Sequence, residues 1–144
     1  MSKASRLTPI ADYATLREAE AARRLAASTE QIKTREAELE KLRGYLAEYR
    51  QRAEAESADS TLWQNARAFL TRLSDAVAFH EAELQKALER HRFETDRWRD
   101  SHQRAKTLDK VIERSHREEL HALQRRDQAE LDELAVRHLA DRAR

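Results

Sequence analysis

The side chains able to do chemistry in this chain are few and scattered. Two Glu-x-x-His pairs, Glu113/His116 and Glu118/His121, have the i, i+3 spacing with which helices present metal ligands. A di-metal carboxylate site needs such pairs on different helices, with two more glutamates facing inward. Here both pairs lie in one highly charged stretch, which reads as a solvated helix surface. Disulfides, thiol catalysis and cysteine zinc sites are excluded, because the chain has no cysteine. A single glycine cannot build a phosphate-cradling loop. A nucleophile and its base need a concave pocket to hold them, which two thin helices do not provide. The residues therefore point to no catalysis, no cofactor and no metal.

What the chain does offer is chemistry for docking. Tyr45 and Tyr49 are one helical turn apart, as are Phe69 and Leu73. Ala66, Phe69, Leu70, Leu73, Ala76, Val77 and His80 form an apolar arc wider than a coiled-coil seam requires. Two readings stand: the arc is buried seam packing, or one edge stays open for a partner. His80, at the end of the arc, is either a half-exposed seam residue or a polar group at the rim of a binding patch. Trp63 and Trp98 read as packing residues, since stacking on single-stranded nucleic acid wants several aromatics in one basic groove.

The elements that carry these residues follow from composition. Ala, Leu, Glu, Lys and Arg make up 88 of the 144 residues, with one Gly and one Pro. That composition belongs to long helices or coiled coils, and two turn-formers cannot supply the turns of a sheet protein. The first helix is expected over about 9–56, with Thr8 as cap and Pro9 at the first helical position. Its seam is Leu25, Ile32, Leu39, Leu42, Leu46, Tyr49 and Ala53, at steps of seven, three and four. Upstream the seam thins to Ala11, Ala14, Ala21 and Ala22. Gly44, inside the helix, costs about 1 kcal/mol against alanine.

A connector is expected at about 57–61, where Asp59, Ser60 and Thr61 all cap well and Thr61 with Gln64 makes a capping box. The second helix then runs over about 62–140. Its stripe passes Ala66, Phe69/Leu70, Leu73, Val77, Leu84, Leu88, His91, Trp98, Ala105, Leu108 and Ile112, and continues through Leu120, Leu123, Leu131, Leu134 and His138. A short connector forces the helices antiparallel, placing Tyr49 near Ala68 and Pro9 near Leu108. The fold expected is all-α: two long helices in one antiparallel coiled-coil hairpin, the second longer and overhanging. Roughly the last 30 residues have no partner from the first helix, by the rise of 1.5 Å per residue. A lone helix of that kind is marginal in water, and its apolar stripe calls for a partner.

Charge narrows the field further. Twenty-eight basic and 27 acidic residues leave +1, with both signs interspersed. The densest basic stretch, Lys86 to Lys110, holds eight basic and five acidic residues. A nucleic-acid binder would carry a dominant basic face, and a surface-bound membrane helix an amphipathic one rich in Lys and Arg. No apolar run nears the roughly 18 residues of a span, and no apolar signal core follows the N-terminus. The expectation is a cytoplasmic protein without nucleic-acid binding or direct lipid insertion.

The chain resembles the flagellar export protein FliJ family and its type III secretion relatives of the YscO type. The opening Leu7, Pro9-Ile10 and Glu20-Ala-Ala-Arg-Arg-Leu25-Ala fit that family. Leu39-Glu-Lys-Leu-Arg-Gly-Tyr45-Leu-Ala-Glu-Tyr49-Arg50 looks like its L-x-x-L-x-x-Y-x-x-E-Y-R block. Phe69-Leu-Thr-Arg-Leu73-Ser-Asp-Ala76-Val-Ala-Phe-His80 is similar to its F-x-x-x-L-x-x-A-x-x-x-H helix, and Trp98-Arg through Arg104-Ala-Lys-Thr-Leu108-Asp to Arg114 follows the next block. The resemblance implies a non-enzymatic, cytoplasmic component of the flagellar export apparatus, similar to the central shaft subunit of rotary ATPases. It implies binding to the hexameric export ATPase, promotion of ring assembly, a link to the membrane export gate, and contact with export chaperones. It carries gate contact onto Phe69, Leu73, Ala76 and His80, with Tyr45 and Tyr49 as a supporting aromatic patch. ATPase contact is expected at the end remote from the connector. A homodimeric structural adaptor without ATPase binding is the alternative.

Overall fold

The structure, a computed structural model, describes residues 2–55 and 60–143. It contains two α-helices, α1 (Lys3–Ala55) and α2 (Ser60–Arg142), and no strand among the described residues. The all-α hairpin expected from composition is what the chain adopts, with α2 at 83 residues well longer than α1 at 53. Most of the expected connector, and with it Asp59 and the side chain of Ser60, lies outside the described residues. Thr61 lies inside α2.

Helix α1 begins six residues earlier than Thr8 and Pro9 suggest, at Lys3. Ser2 is its cap: the Ser5 amide donates to Ser2 Oγ at 3.1 Å and the Arg6 amide to the Ser2 carbonyl at 3.1 Å. The first bond satisfies one otherwise unpaired first-turn donor, and the second is the first rung of the helical ladder. Thr8 does not cap; its hydroxyl donates to the Ala4 carbonyl at 2.9 Å. Pro9 sits inside the helix, where it removes one backbone hydrogen bond. Burial offsets that loss, because Ala4, Leu7 and Ala11 extend the seam at steps of three and four to the very start of α1.

The contacts gather into two units, Ala19–Arg99 and Met1–Glu18 with Asp100–Arg144. In the Ala19–Arg99 unit the helices run antiparallel, with Tyr49 against Phe69, Glu38 facing His80 and Ser28 against His91. These pairs have residue numbers adding to 118 or 119, close to the expected folding register. The core is thin: Leu39, Leu46 and Val77 are buried, with Leu42, Leu70, Leu73 and Leu84 packed against them. Cross-helix ion pairs border it, Arg43 to Glu81 at 3.1 Å and Arg35 to Glu83 at 3.7 Å. The Arg43 pair is half exposed and contributes at most about 1 kcal/mol, while Glu83 of the second pair is mostly covered.

In the other unit the seam is built from small residues: Ala4, Ala11, Ala105 and Ser115 are buried. The His102 ring donates from Nδ1 to the Glu18 carboxylate at 2.6 Å. From His116 to Ala143 every side chain except the half-buried Glu119 is exposed. Helix-stabilising i, i+4 pairs run along this stretch, including Gln128 to Asp132 at 3.1 Å and Arg137 to Glu133 at 3.0 Å. No helix among the described residues is long and apolar enough to cross a membrane.

Candidate functional site

Two surfaces carry exposed apolar side chains that the seam does not use. The first lies in the Ala19–Arg99 unit and contains the residues singled out by spacing. Phe69, Leu73, Ala76 and His80 recur at four, three and four along α2, so they share a face. Register with α1 then sets how far each is covered. Leu73 is half-buried and packs against the Leu39–Leu46–Val77 core, and Ala76 is half-buried beside it. Phe69, nearer the helix start, stays 44% exposed. Its ring meets the Tyr49 ring edge to face, with centroids 4.8 Å apart. The Arg52 guanidinium lies 5.4 Å from the Tyr49 ring centre and pairs with Glu48 at 2.8 Å. Tyr45, one turn before Tyr49, is exposed.

His80 closes this face in a mostly covered position. Its Nδ1 is buried and has no hydrogen-bond partner among the described residues. The nearest carboxylate oxygen, on Glu38, is 3.8 Å away, too far for a hydrogen bond. The ring stands edge-on to exposed Phe79, with centroids 5.4 Å apart. The structure thus places Phe69 and Tyr49 together on an open aromatic edge and sets Leu73 into the core. Ala76 and His80 are intermediate. Such an edge can dock a partner through aromatic anchors flanked by arginine.

The second surface lies in the unit containing the end of α2. Leu120, Leu123, Leu131 and Leu134 are each more than half exposed, as are Val136 and Leu139. Leu120, Leu123, Leu131 and Leu134 fall on one face, because eleven residues make three turns. This is a leucine stripe with no cover among the described residues.

Other side chains named from the sequence find quieter places. Glu113 pairs with Arg117, and Glu118 with Arg114 at 3.4 Å, along their own helix. Among the described residues no group of three or more His, Asp or Glu could hold a metal. Trp98 is half-buried, as expected of a packing residue. Trp63 is not packed in this way: it is 49% exposed, with the Arg67 guanidinium 5.2 Å from its ring centre.

Apolar spacing alone does not reveal three buried polar residues, Ser28, Glu94 and Ser115. Ser28 Oγ lies 3.1 Å from His91 Nδ1 and also donates to the Leu25 carbonyl at 2.7 Å. Glu94 is 2% exposed and forms an ion pair with Arg90 at 2.9 Å, while its Oε2 has no hydrogen-bond partner among the described residues. The signal was present, since Leu25–Ser28–Ile32 and His91–Glu94–Trp98 keep seam steps of three and four.

A family model described as Flagellar FliJ protein matches residues 2–144. No curated protein and no solved structure matches the chain.

Proposed function

Since the chain belongs to the flagellar FliJ protein family, structural components of the flagellar export apparatus, we propose that it is a stalk-like part of that apparatus. In this reading it binds the hexameric export ATPase and promotes its assembly, links the ring to the cytoplasmic domain of the export gate, and assists export chaperones. The observation that carries the ATPase contact is the leucine stripe from Leu120 to Leu134 on an uncovered length of α2.

The mechanism is binding energy. Each leucine removed from water contributes about 1.5–3 kcal/mol when fully buried. A lone helical segment is marginal in water, so part of that energy goes into ordering it. Contacts made only with the assembled ring favour the hexamer by mass action. The open edge formed by Phe69 and Tyr49 is the surface offered to the export gate, with half-buried Ala76 and His80 farther along the same face, Leu73 supporting it from the core, and Tyr45 at its margin. Attachment at the inner face of the membrane then comes through the gate, and no part of α1 or α2 inserts into lipid.

Hydrogen exchange tests this reading. Amides of residues 116–142 are expected to exchange fast in the free protein and to slow at least about tenfold with the cognate ATPase hexamer. Equal protection in both states would remove the stripe from the ATPase interface.

A further inference from the structure

Asp127 stands in the middle of the exposed leucine stripe. Leu120, Leu123, Asp127, Leu131 and Leu134 follow one another at steps of three and four on one helix face. The neighbours of Asp127 at i±3 and i±4 are Leu123, Gln124, Glu130 and Leu131, none of them a cation. Any surface that covers the stripe takes this carboxylate out of water, and must present a cation opposite it. Of the acidic residues beside the leucines, Glu133 is already paired with Arg137 at 3.0 Å, which leaves Asp127 as the carboxylate within the stripe itself.

One groove in the same unit has the complementary chemistry. It measures about 530 Å³ and is lined by Ile10, Tyr13, Ala14 and Leu108, with Arg17 and Arg104 among its walls and no carboxylate. Ile10 and Tyr13 are 53% and 61% exposed, so the groove is open for an apolar occupant. The chain's own stripe cannot fill it. Leu108 and Asp127 are 19 residues apart on one continuous helix, about 28 Å at 1.5 Å per residue. The occupant must come from another molecule.

We propose that this occupant is the leucine stripe of a second copy of the chain. Leu123 and Leu131 of one copy lie on Ile10, Tyr13 and Leu108 of the other, and Asp127 lies against Arg104. Each copy carries both the groove and the stripe, so a two-fold arrangement makes the contact twice and closes on a dimer. The inference goes beyond the stalk reading. It makes a second copy and the ATPase ring competitors for the same leucines: concentrated protein covers its stripe in the dimer, while dilute protein leaves the stripe open to exchange and to the ring.

Sedimentation equilibrium on the full-length protein alone tests this, from about 5 to about 200 µM. The wild type is expected to show a monomer–dimer equilibrium in that range. Arg104→Glu or Asp127→Arg alone is expected to weaken the dimer roughly tenfold or more, since each places like charges together twice. The combined Arg104→Glu/Asp127→Arg chain restores opposite charges at both contacts, and its dimer is expected to return to near wild-type strength. Leu123→Ser, which alters no charge, is expected to weaken it as well. Circular dichroism checks that each variant keeps its helix. A monomer throughout the range, a dimer indifferent to the single reversals, or no recovery in the combined chain would each overturn the proposal. The ATPase takes no part in the experiment, so none of these results touches the stalk reading.

Discussion

Replacing Glu94 by leucine is predicted to make the protein more stable, although Glu94 takes part in an ion pair. Its side chain is 2% exposed at a seam position between His91 and Trp98. One carboxylate oxygen is ion-paired with Arg90 at 2.9 Å, and the Arg90 side chain is 60% exposed, so the guanidinium keeps its water when the carboxylate is removed. Losing that pair costs about 0.5 kcal/mol. The other oxygen is buried with no hydrogen-bond partner among the described residues, and such an orphan costs about 1–3 kcal/mol. Leucine also brings apolar surface to the seam, at about 25 cal/mol per Å² buried. The net expectation is a gain of about 1–3 kcal/mol for Glu94→Leu, in line with other buried ion pairs exchanged for hydrophobes. Glu94→Gln, which removes charge but keeps a polar group, should gain less than about 1 kcal/mol. Urea unfolding followed by helical circular dichroism reads the change, with an unchanged m value showing that the same surface is exposed. A loss of 1 kcal/mol or more in Glu94→Leu at constant m would refute the reasoning, and would mean that the carboxylate has a favourable partner in solution.

Leu39→Ala empties the centre of the thin core beside Leu46 and Val77 and should cost about 2–3 kcal/mol in the same assay. Half-buried Leu42, Leu73 and Leu84 can close in, which keeps the loss toward the low end for a buried leucine. Leu134→Ala, at a side chain 60% exposed, should change stability by less than about 0.5 kcal/mol in the free protein. Gly44→Ala should stabilise α1 by about 0.5–1 kcal/mol, because an added methyl group meets nothing within 4 Å. A measured loss there would show that the glycine answers to something besides helix propensity. Phe69→Ala should weaken binding to the export-gate domain about tenfold in calorimetry, while costing the fold only about 0.5–1.5 kcal/mol for the ring pair with Tyr49. Unchanged affinity would take Phe69 out of the gate surface.

The helices and their pairing were legible because one signal dominates the chain. Leu39, Leu46 and Val77 recur at coiled-coil spacing, and no sheet could compete with so much Ala, Leu, Glu and Arg. Register followed from a short connector, and Tyr49 meets Phe69 next to the position expected. The start of α1 was not legible, because Thr8-Pro9 is a stronger local start signal than Ser2. Only the burial of Ala4 and Ala11 shows why the helix continues upstream. Ser28 and Glu94 escaped notice for a different reason: apolar periodicity steps over polar residues, even where spacing puts them in the seam. The groove formed by Ile10, Tyr13 and Leu108 needs side chains from both helices, so no single stretch of sequence announces it. The leucine stripe beyond Ser115 was legible throughout, since it depends on one helix alone.

The central claim, that the uncovered leucines of α2 act on the export ATPase, is tested most directly by ATP hydrolysis while the protein is titrated into its cognate ATPase. The wild-type chain is predicted to raise the rate and the hexamer population together. Leu131→Ser/Leu134→Ser, two substitutions at exposed positions that leave the seam intact, is predicted to abolish both effects. Equal stimulation by the variant, or no effect of the folded wild type on rate or assembly, would contradict it.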